Sequence, residues 1–189
     1  MSEHAAMNPS VEVSRERYEA ADTFSTYLET VEANRDLWHG VYDRVRVPDA
    51  AVDRVSQSVT SPRYLLALSE DWCGDAVNTL PVVARLAERV AGLEFRVVSR
   101  DENPDLMESH LTGESRASPV VMVLDENFEE MGWWGPRPSE LQEWVLEEGL
   151  KMDSGERYKV ARGWYARDRG LTTIRELCHI LSRGACLGI

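Results

Sequence analysis

The sequence lacks the long apolar runs and the basic patches that mark membrane proteins and nucleic-acid-binding proteins. No run approaches the roughly 20 apolar residues of a membrane-spanning helix. The formal net charge is −12, and the basic residues form no stripe for a phosphate backbone or an anionic membrane surface. We therefore expect neither nucleic acid nor membrane as a partner. Residues 1–4 have no basic flank and no apolar segment, so we expect no secretory signal.

Cysteine and histidine are also scarce. Three cysteines are an odd number and do not form a disulfide framework, so we expect free thiols in a reducing cytoplasm. The four histidines are scattered, and none shares a metal-ligand spacing with a cysteine. A nucleotide-binding loop and a Ser–His–Asp constellation are missing as well. We expect no metal and no cofactor.

What the chain does contain is enough apolar sequence for one folded domain. It has 189 residues, of which 43% are hydrophobic, and six tryptophans. Residues 1–13 show no periodicity and are predicted to form a flexible tail. Apolar residues then recur at steps of three and four from residue 14 to about 47, and another helix follows Pro48. This pattern predicts a helical N-terminal extension over residues 14–60 that packs on the core.

Strands and helices alternate in the next part of the chain. Residues 64–68 are apolar throughout, as expected for a central strand that is covered on both faces. The order of elements predicts an α/β fold with a small mixed central sheet flanked by helices. We predict further strands over 95–99, 120–124 and 130–134. We predict helices over 74–91 and 105–111, a helix that has Ser139 as its N-cap, and two more helices over about 156–167 and 171–183.

The most informative motif is Trp-Cys-Gly-Asp-Ala at residues 72–76. Cys73 follows the predicted strand and opens the predicted helix. A helix N-terminus offers unpaired N–H groups and about half a positive charge, which favours a thiolate over a thiol. Ala76 occupies the position at which a dithiol site would carry its second cysteine. The motif therefore predicts thiol chemistry with a single cysteine.

Other landmarks in the same order resemble the thioredoxin fold. Pro81 stands where thioredoxins have the proline that kinks the active-site helix. Residues 101–104 resemble their Asp-x-Asn-Pro segment. Residues 116–119 resemble their Arg-Gly-Ile-Pro segment, whose proline is cis and faces the nucleophile. Gly135 matches the glycine that ends the following strand beside the site.

The chain is also similar, over nearly its whole length, to a group of uncharacterised bacterial thioredoxin-like proteins. The thioredoxin resemblance itself covers residues 61–150 and implies a thioredoxin-like core there, with residues 151–189 as a C-terminal helical extension. The motifs that carry the closer similarity are Trp-Cys-Gly-Asp-Ala at 72–76, Arg-Asp-Glu-Asn at 100–103, Trp-Gly-Pro-Arg-Pro at 134–138 and Trp-Tyr-Ala-Arg-Asp at 164–168.

The sequence departs from thioredoxins at positions that serve the dithiol cycle. Thioredoxins keep a buried Asp six residues before the nucleophile and a Lys paired with it on the next strand, whereas this chain has Ala67 and Val97. Ser118 replaces the usual Ile or Thr before the cis-proline. The internal proton acceptor is thus missing together with the second cysteine, while Cys73 is kept.

The resemblance implies roles for specific residues. Cys73 is the expected nucleophile at an accessible edge. Asp75 is either a proton acceptor on the solvent side or a first-turn carboxylate that stabilises the helix. Of the adjacent Trp133 and Trp134, one is expected to be buried in the core. Trp134 is the one expected to line the groove, and core packing is the alternative for each. The implied substrate-binding residues are Trp72, Gly74, Ser118, Pro119, Trp134 and Gly135.

Several further side chains have two interpretations each. Arginines near the site either hold the carboxylate of a small thiol such as glutathione or form surface salt bridges; these are Arg100, Arg116 and Arg137. Cys178 lies in an apolar helical stripe and is expected in the core. Cys186 lies in the C-terminal tail, where it either has no role or reaches Cys73 as a resolving thiol.

Two functions fit this pattern, together with a weaker third. The first is a cytoplasmic monothiol oxidoreductase, in which Cys73 attacks a protein or small-molecule disulfide and an external thiol resolves the product. The second is a redox-silent binding module that holds extended peptides or proteins. In the third, the terminal helices form an oligomerisation surface beside a vestigial site. We expect a monomer or a homodimer.

Overall fold

The computed structural model describes residues 11–182. Its strands are β1 (Asp22–Thr23), β2 (Arg63–Ser69), β3 (Leu93–Ser99), β4 (Val120–Leu124) and β5 (Glu130–Trp134). Its α-helices are α1 (Arg15–Ala20), α2 (Phe24–Thr30), α3 (Arg35–Arg44), α4 (Asp49–Ser58), α5 (Gly74–Ala87), α6 (Pro104–Ser109), α7 (Ser139–Glu147), α8 (Ser154–Asp168) and α9 (Leu171–Ser182).

The five strands form one mixed sheet in the order β1-β3-β2-β4-β5. Strands β2 and β3 are parallel, because α5 crosses over between them, and the other neighbouring pairs are antiparallel. The prediction of a thioredoxin-like mixed sheet flanked by helices is confirmed. Strand β2 lies at the centre, so the loop that follows it emerges from the middle of the sheet.

The apolar run in β2 serves two core clusters at once. Leu65 and Ala67 belong to the cluster under α2–α5 and α9, whereas Leu66 and Leu68 belong to the cluster on the opposite face. Successive side chains of a strand point to opposite faces, so a strand covered on both sides is apolar at every position. A third, smaller cluster joins α7 to α8.

The N-terminal part differs from its prediction in two ways. Val13, which was placed in a flexible tail, is only 2% exposed and packs in the core. The helical pattern over residues 14–47 forms three helices, α1, α2 and α3, because the chain turns extended at Ala21 and Val31. Strand β1 was not predicted, since two residues show no periodicity. Thr23 ends β1 and caps α2 by accepting a hydrogen bond from the Thr26 N–H.

Two helix ends also differ. Helix α5 ends at Ala87, earlier than the predicted residue 91. Ser139 is not the cap of α7 but its first residue, with Pro138 at the cap position. The Ser139 hydroxyl donates instead to a Glu176 carboxylate on α9, which fastens α7 to the last helix. Within residues 11–182, none of the helices combines the length and apolarity needed to cross a membrane.

Candidate functional site

Cys73 lies at the N-cap of α5, directly after the central strand and its short loop. Its thiol donates a hydrogen bond to the Ser118 carbonyl oxygen over an Sγ–O distance of 3.2 Å. The residue is only 7% exposed. The expectation of an openly accessible Cys73 is therefore wrong, because neighbouring residues bury it.

One wall of the site is built from the segments that enter β4 and leave β5. The Ser118–Pro119 peptide bond is cis, and so is Gly135–Pro136. Gly135 has φ +134, and a Cβ added there would lie 2.1 Å from the Pro119 carbonyl oxygen. Only glycine allows this approach of two backbones. Gly135 and Pro119 thus lie against each other, as the sequence comparison suggested.

The loop before Cys73 is held from both sides of the sheet. The Asp71 carboxylate accepts a hydrogen bond from the backbone N–H of Ala33, and the Asp71 carbonyl accepts one from the Trp38 indole, over 2.8 Å each. On the other side, the Glu70 carboxylate accepts the backbone N–H of Asp101 over 3.0 Å. The N-terminal extension therefore helps to fix the position of Cys73.

A charged network joins the first turn of α5 to two distant segments. One oxygen of the Asp75 carboxylate accepts a hydrogen bond from Arg137 Nε, and the other accepts one from the Tyr165 hydroxyl, over 2.8 Å each. Each residue comes from a different motif of the closer similarity, namely 72–76, 134–138 and 164–168. Burial, followed by the nearby Asp75 charge, raises the pKa of Tyr165 well above its usual range.

This network bears on the two roles considered for Asp75. Both carboxylate oxygens are engaged, and the side chain is only 14% exposed. These contacts favour the stabilising first-turn role over that of a solvent-side proton acceptor. They also explain Arg137, for which an ion pair was the alternative to binding a small thiol. The sequence did not predict Tyr165 as a member of the site, although this residue lies in the motif at 164–168.

The positions that would serve a dithiol cycle are apolar and closed. Ala67 and Val97 are register partners in the parallel β2–β3 pair, and they are 0% and 1% exposed. Ala76, at the position of a second cysteine, is fully buried. These three positions therefore supply no acid, no base and no second thiol.

Trp72 forms an exposed rim next to Cys73. Its side chain is 53% exposed, and the Arg100 guanidinium lies 5.0 Å from its ring centre. Arg100 also pairs with Asp101 over 2.8 Å. Arg116 pairs with Glu108. The three arginines considered as carboxylate ligands thus all form ion pairs within the chain.

The groove role expected for Trp134 is wrong. Trp134 is 5% exposed and belongs to the core cluster under α9, where its indole N–H donates to Glu176 over 2.7 Å. Trp133 is the half-buried member of the pair and packs edge-on against His110 on the other face of the sheet. The alternation was predicted correctly, but the face was not, because helix α9 covers the side on which Trp134 lies.

The C-terminal extension covers part of the site. Tyr158 of α8 lies over Gly74, so that a Cβ added at Gly74 would be 2.9 Å from Tyr158 Cε1. A cleft of about 260 Å³ runs between α8 and the first turns of α5, with Trp72 at its rim. Cys73 itself does not line this cleft. Gly74 therefore lines the cleft with the Tyr158 ring packed against it.

The other cysteines have different places. Cys178 is a free thiol on the buried face of α9, in the core as expected. Cys186, the possible resolving thiol, lies outside the described residues. Within residues 11–182, no three potential metal-binding side chains of His, Cys, Asp or Glu come together.

Comparison with known proteins decides the family. The family model described as Thioredoxin matches residues 21–157. This protein belongs to the thioredoxin family. The match begins at the short edge strand and ends in the first turn of α8, so it includes the whole sheet and the cleft wall at Gly74. No curated protein matches the chain.

Two solved structures are similar to this thioredoxin-family protein in fold. One is a protein of unknown function from Pseudomonas aeruginosa, with 22% identity and a TM-score of 0.72 over 92% of this chain and 99% of that one. The other is an HIV epitope scaffold, with 20% identity and a TM-score of 0.68 over 89% of this chain and 98% of that one. These similarities support the fold alone, and any function must be argued from the residues of the site.

Proposed function

We propose that this protein carries out monothiol thiol–disulfide exchange through Cys73, with an external thiol that resolves the mixed disulfide. The observation that carries the proposal is the placement of one cysteine at the N-cap of α5, with its Sγ 3.2 Å from the Ser118 carbonyl beside cis-Pro119. The helix N-terminus favours a thiolate on this sulfur. The backbone before the proline can align an extended disulfide-bearing segment.

The exchange has two balanced steps. The Cys73 thiolate attacks one sulfur of a disulfide, a new S–S bond forms, and the other sulfur leaves as a thiolate. External thiolates then attack the mixed disulfide in turn, so that the partner sulfur and Cys73 both leave as thiolates while the external thiol is oxidised to its disulfide. Because Ala67, Val97 and Ala76 offer no acid, base or second thiol, protons pass to and from water. The proposed partners are therefore protein or small-molecule thiols and disulfides.

The small exposed fraction of Cys73 favours a second candidate function. A cysteine that is 7% exposed and whose thiol donates to the Ser118 carbonyl also fits a redox-silent module that binds extended peptides. In that case, the exposed Trp72 ring would supply contact area, and substituting Cys73 would leave binding intact.

Turnover with a matched variant separates the two functions. The test is reduction of a peptide disulfide by excess small thiol, with wild type compared with Cys73→Ala. Exchange predicts turnover that disappears in Cys73→Ala, whereas Cys178→Ala leaves it unchanged once folding is verified. Peptide binding of equal strength in wild type and Cys73→Ala, without turnover in either, would contradict the exchange proposal and support the binding module.

A further inference from the structure

The cleft beside Cys73 is built by both extensions rather than by the thioredoxin core alone. It is bounded by the start of α3, the first turns of α5 and one face of α8, and its volume is about 260 Å³. Trp72 and Gly74, the two sequence neighbours of Cys73, both line it. A molecule in the cleft therefore lies against the residues on either side of Cys73 in the sequence.

Helix α8 presents a defined set of side chains to this cleft. Tyr158, Ala161, Arg162 and Tyr165 all line it, and their spacing of three and four residues places them on one helix face. Tyr158 and Trp72 both line the cleft, and they are 54% and 53% exposed. The cleft lining thus combines exposed aromatic rings with the Arg162 side chain.

The charge that is open to a ligand in this cleft is positive. The Asp75 carboxylate lines the cleft but already binds Arg137 and Tyr165. Arg162 is exposed, and no ion pair or side-chain hydrogen bond engages it within the part of the chain that the structure describes. An anionic group is therefore the complementary partner for Arg162, even though the chain as a whole is acidic.

The amide groups add a second requirement. The Asn78 side-chain N–H₂ donates to the Gly74 carbonyl over 2.7 Å, which leaves the Asn78 amide oxygen as an acceptor at the cleft. A complementary ligand thus combines a carboxylate for Arg162, an N–H donor for Asn78 and an apolar body for the aromatic rings. Amino acids and short peptides carry these groups together.

We propose that this cleft binds the low-molecular-weight thiol that exchanges with Cys73, and that this thiol is an amino acid or short peptide with a free carboxylate. The inference rests on the proposed function of Cys73. A volume of about 260 Å³ equals the space of roughly nine waters at about 30 Å³ each. It lies just below the usual range of sites for drug-sized ligands, about 300–1,000 Å³, which favours a molecule of dipeptide or tripeptide size.

The bound thiol completes the exchange in two attacks. Its thiolate attacks Cys73 Sγ in the mixed disulfide, an S–S bond forms between the two, and the partner sulfur leaves as a thiolate that takes a proton from water. A second molecule of the thiol then attacks the small-molecule sulfur. Cys73 is released as a thiolate, and the two small thiols are oxidised to their disulfide while the partner disulfide is reduced.

Two disulfide probes that differ in charge test the inference. Oxidised glutathione carries carboxylates and peptide N–H groups, whereas bis(2-hydroxyethyl) disulfide is neutral and has neither. The rate of mixed-disulfide formation at Cys73 is followed by peptide mass spectrometry in the full chain, for wild type and for Arg162→Gln. Arg167→Gln is the matched control, because it removes the same charge from the same helix outside the cleft lining.

We expect the rate to saturate with oxidised glutathione and to rise linearly with the neutral disulfide. Arg162→Gln should lower the rate at low oxidised glutathione about fivefold, as one exposed ion pair allows. Arg162→Gln should leave the rate with the neutral disulfide unchanged, and Arg167→Gln should change neither rate. If Arg162→Gln changes both rates equally or neither, the cleft inference is wrong while the exchange proposal stands. If neither probe reacts at Cys73, both are wrong.

Discussion

Breaking the Asp75–Arg137 pair should destabilise the fold in a way that only a coupled network explains. The two side chains are 14% and 23% exposed and 2.8 Å apart. Removing one partner of a fully buried pair costs about 3–5 kcal/mol, and an exposed pair contributes about 0–1 kcal/mol. The partial exposure of this pair gives an expected loss of about 2 kcal/mol for Arg137→Gln, between these limits. At this chain length, that corresponds to a fall in Tm of about 4–8 °C.

The double-mutant cycle measures the coupling directly. Once Asp75→Asn has removed the carboxylate charge, Arg137→Gln should cost much less, so the coupling energy should be about 1.5 kcal/mol. Tyr165→Phe should cost about 1.5–3 kcal/mol, the range for one hydrogen bond to a charged carboxylate. The assay is urea unfolding of each variant at neutral pH, followed by tryptophan fluorescence.

A matched exposed pair provides the control for this cycle. Arg175 and Glu140 lie 3.4 Å apart and are 62% and 64% exposed. Arg175→Gln should change the free energy of unfolding by less than about 0.5 kcal/mol. A coupling energy below about 0.5 kcal/mol for Asp75 and Arg137 would refute the reasoning, because the three motifs would then be joined without energetic consequence.

Three other predictions follow from single positions. Gly135→Ala should lower the free energy of unfolding in urea by more than about 3 kcal/mol, because the added Cβ would meet a backbone oxygen. Gly113→Ala is the control: it has open space around it and should cost about 1 kcal/mol. Equal losses for the two variants would contradict the steric explanation. Burial opposes the charge of His110, but hydrogen bonds to Glu130 and a backbone carbonyl outweigh it and raise the pKa of His110. The stabilisation of wild type over His110→Gln should therefore be full below about pH 6.5 and decline as pH rises through the raised pKa, and a difference that grows with pH would contradict this sign. Tyr158→Ala should speed alkylation of Cys73 by a neutral reagent, since the Tyr158 ring covers the start of α5. An unchanged rate would show that other groups limit access to Cys73.

The sheet was predictable because its central strands carry strong local signals. The bounds of β4 and β5 agree with the predicted ranges, 120–124 and 130–134, since β4 is apolar throughout and β5 follows the turn at 125–127. Strand β1 escaped prediction because its two exposed residues carry no pattern. A continuous apolar run such as 64–68 identifies a buried strand but does not say which helices cover it.

The site was only partly predictable, for a physical reason. Cys73 and the cis-Pro119 segment could be found from the thioredoxin resemblance. The contact between Asp75 and Tyr165 joins residues 90 positions apart and depends on how α8 packs against α5. Burial of Trp134 likewise depends on α9. The motifs were visible in the sequence, but their convergence depends on tertiary packing.

In the proposed exchange, Cys73 is a lone thiol whose mixed disulfide an external thiol resolves. Mass spectrometry of the native full chain, after exposure to oxidised glutathione and then to reduced glutathione, tests this proposal. We predict one mixed disulfide on Cys73 that reduced glutathione removes, with no disulfide within the chain. An unmodified Cys73, or a disulfide between Cys73 and Cys186, would contradict it.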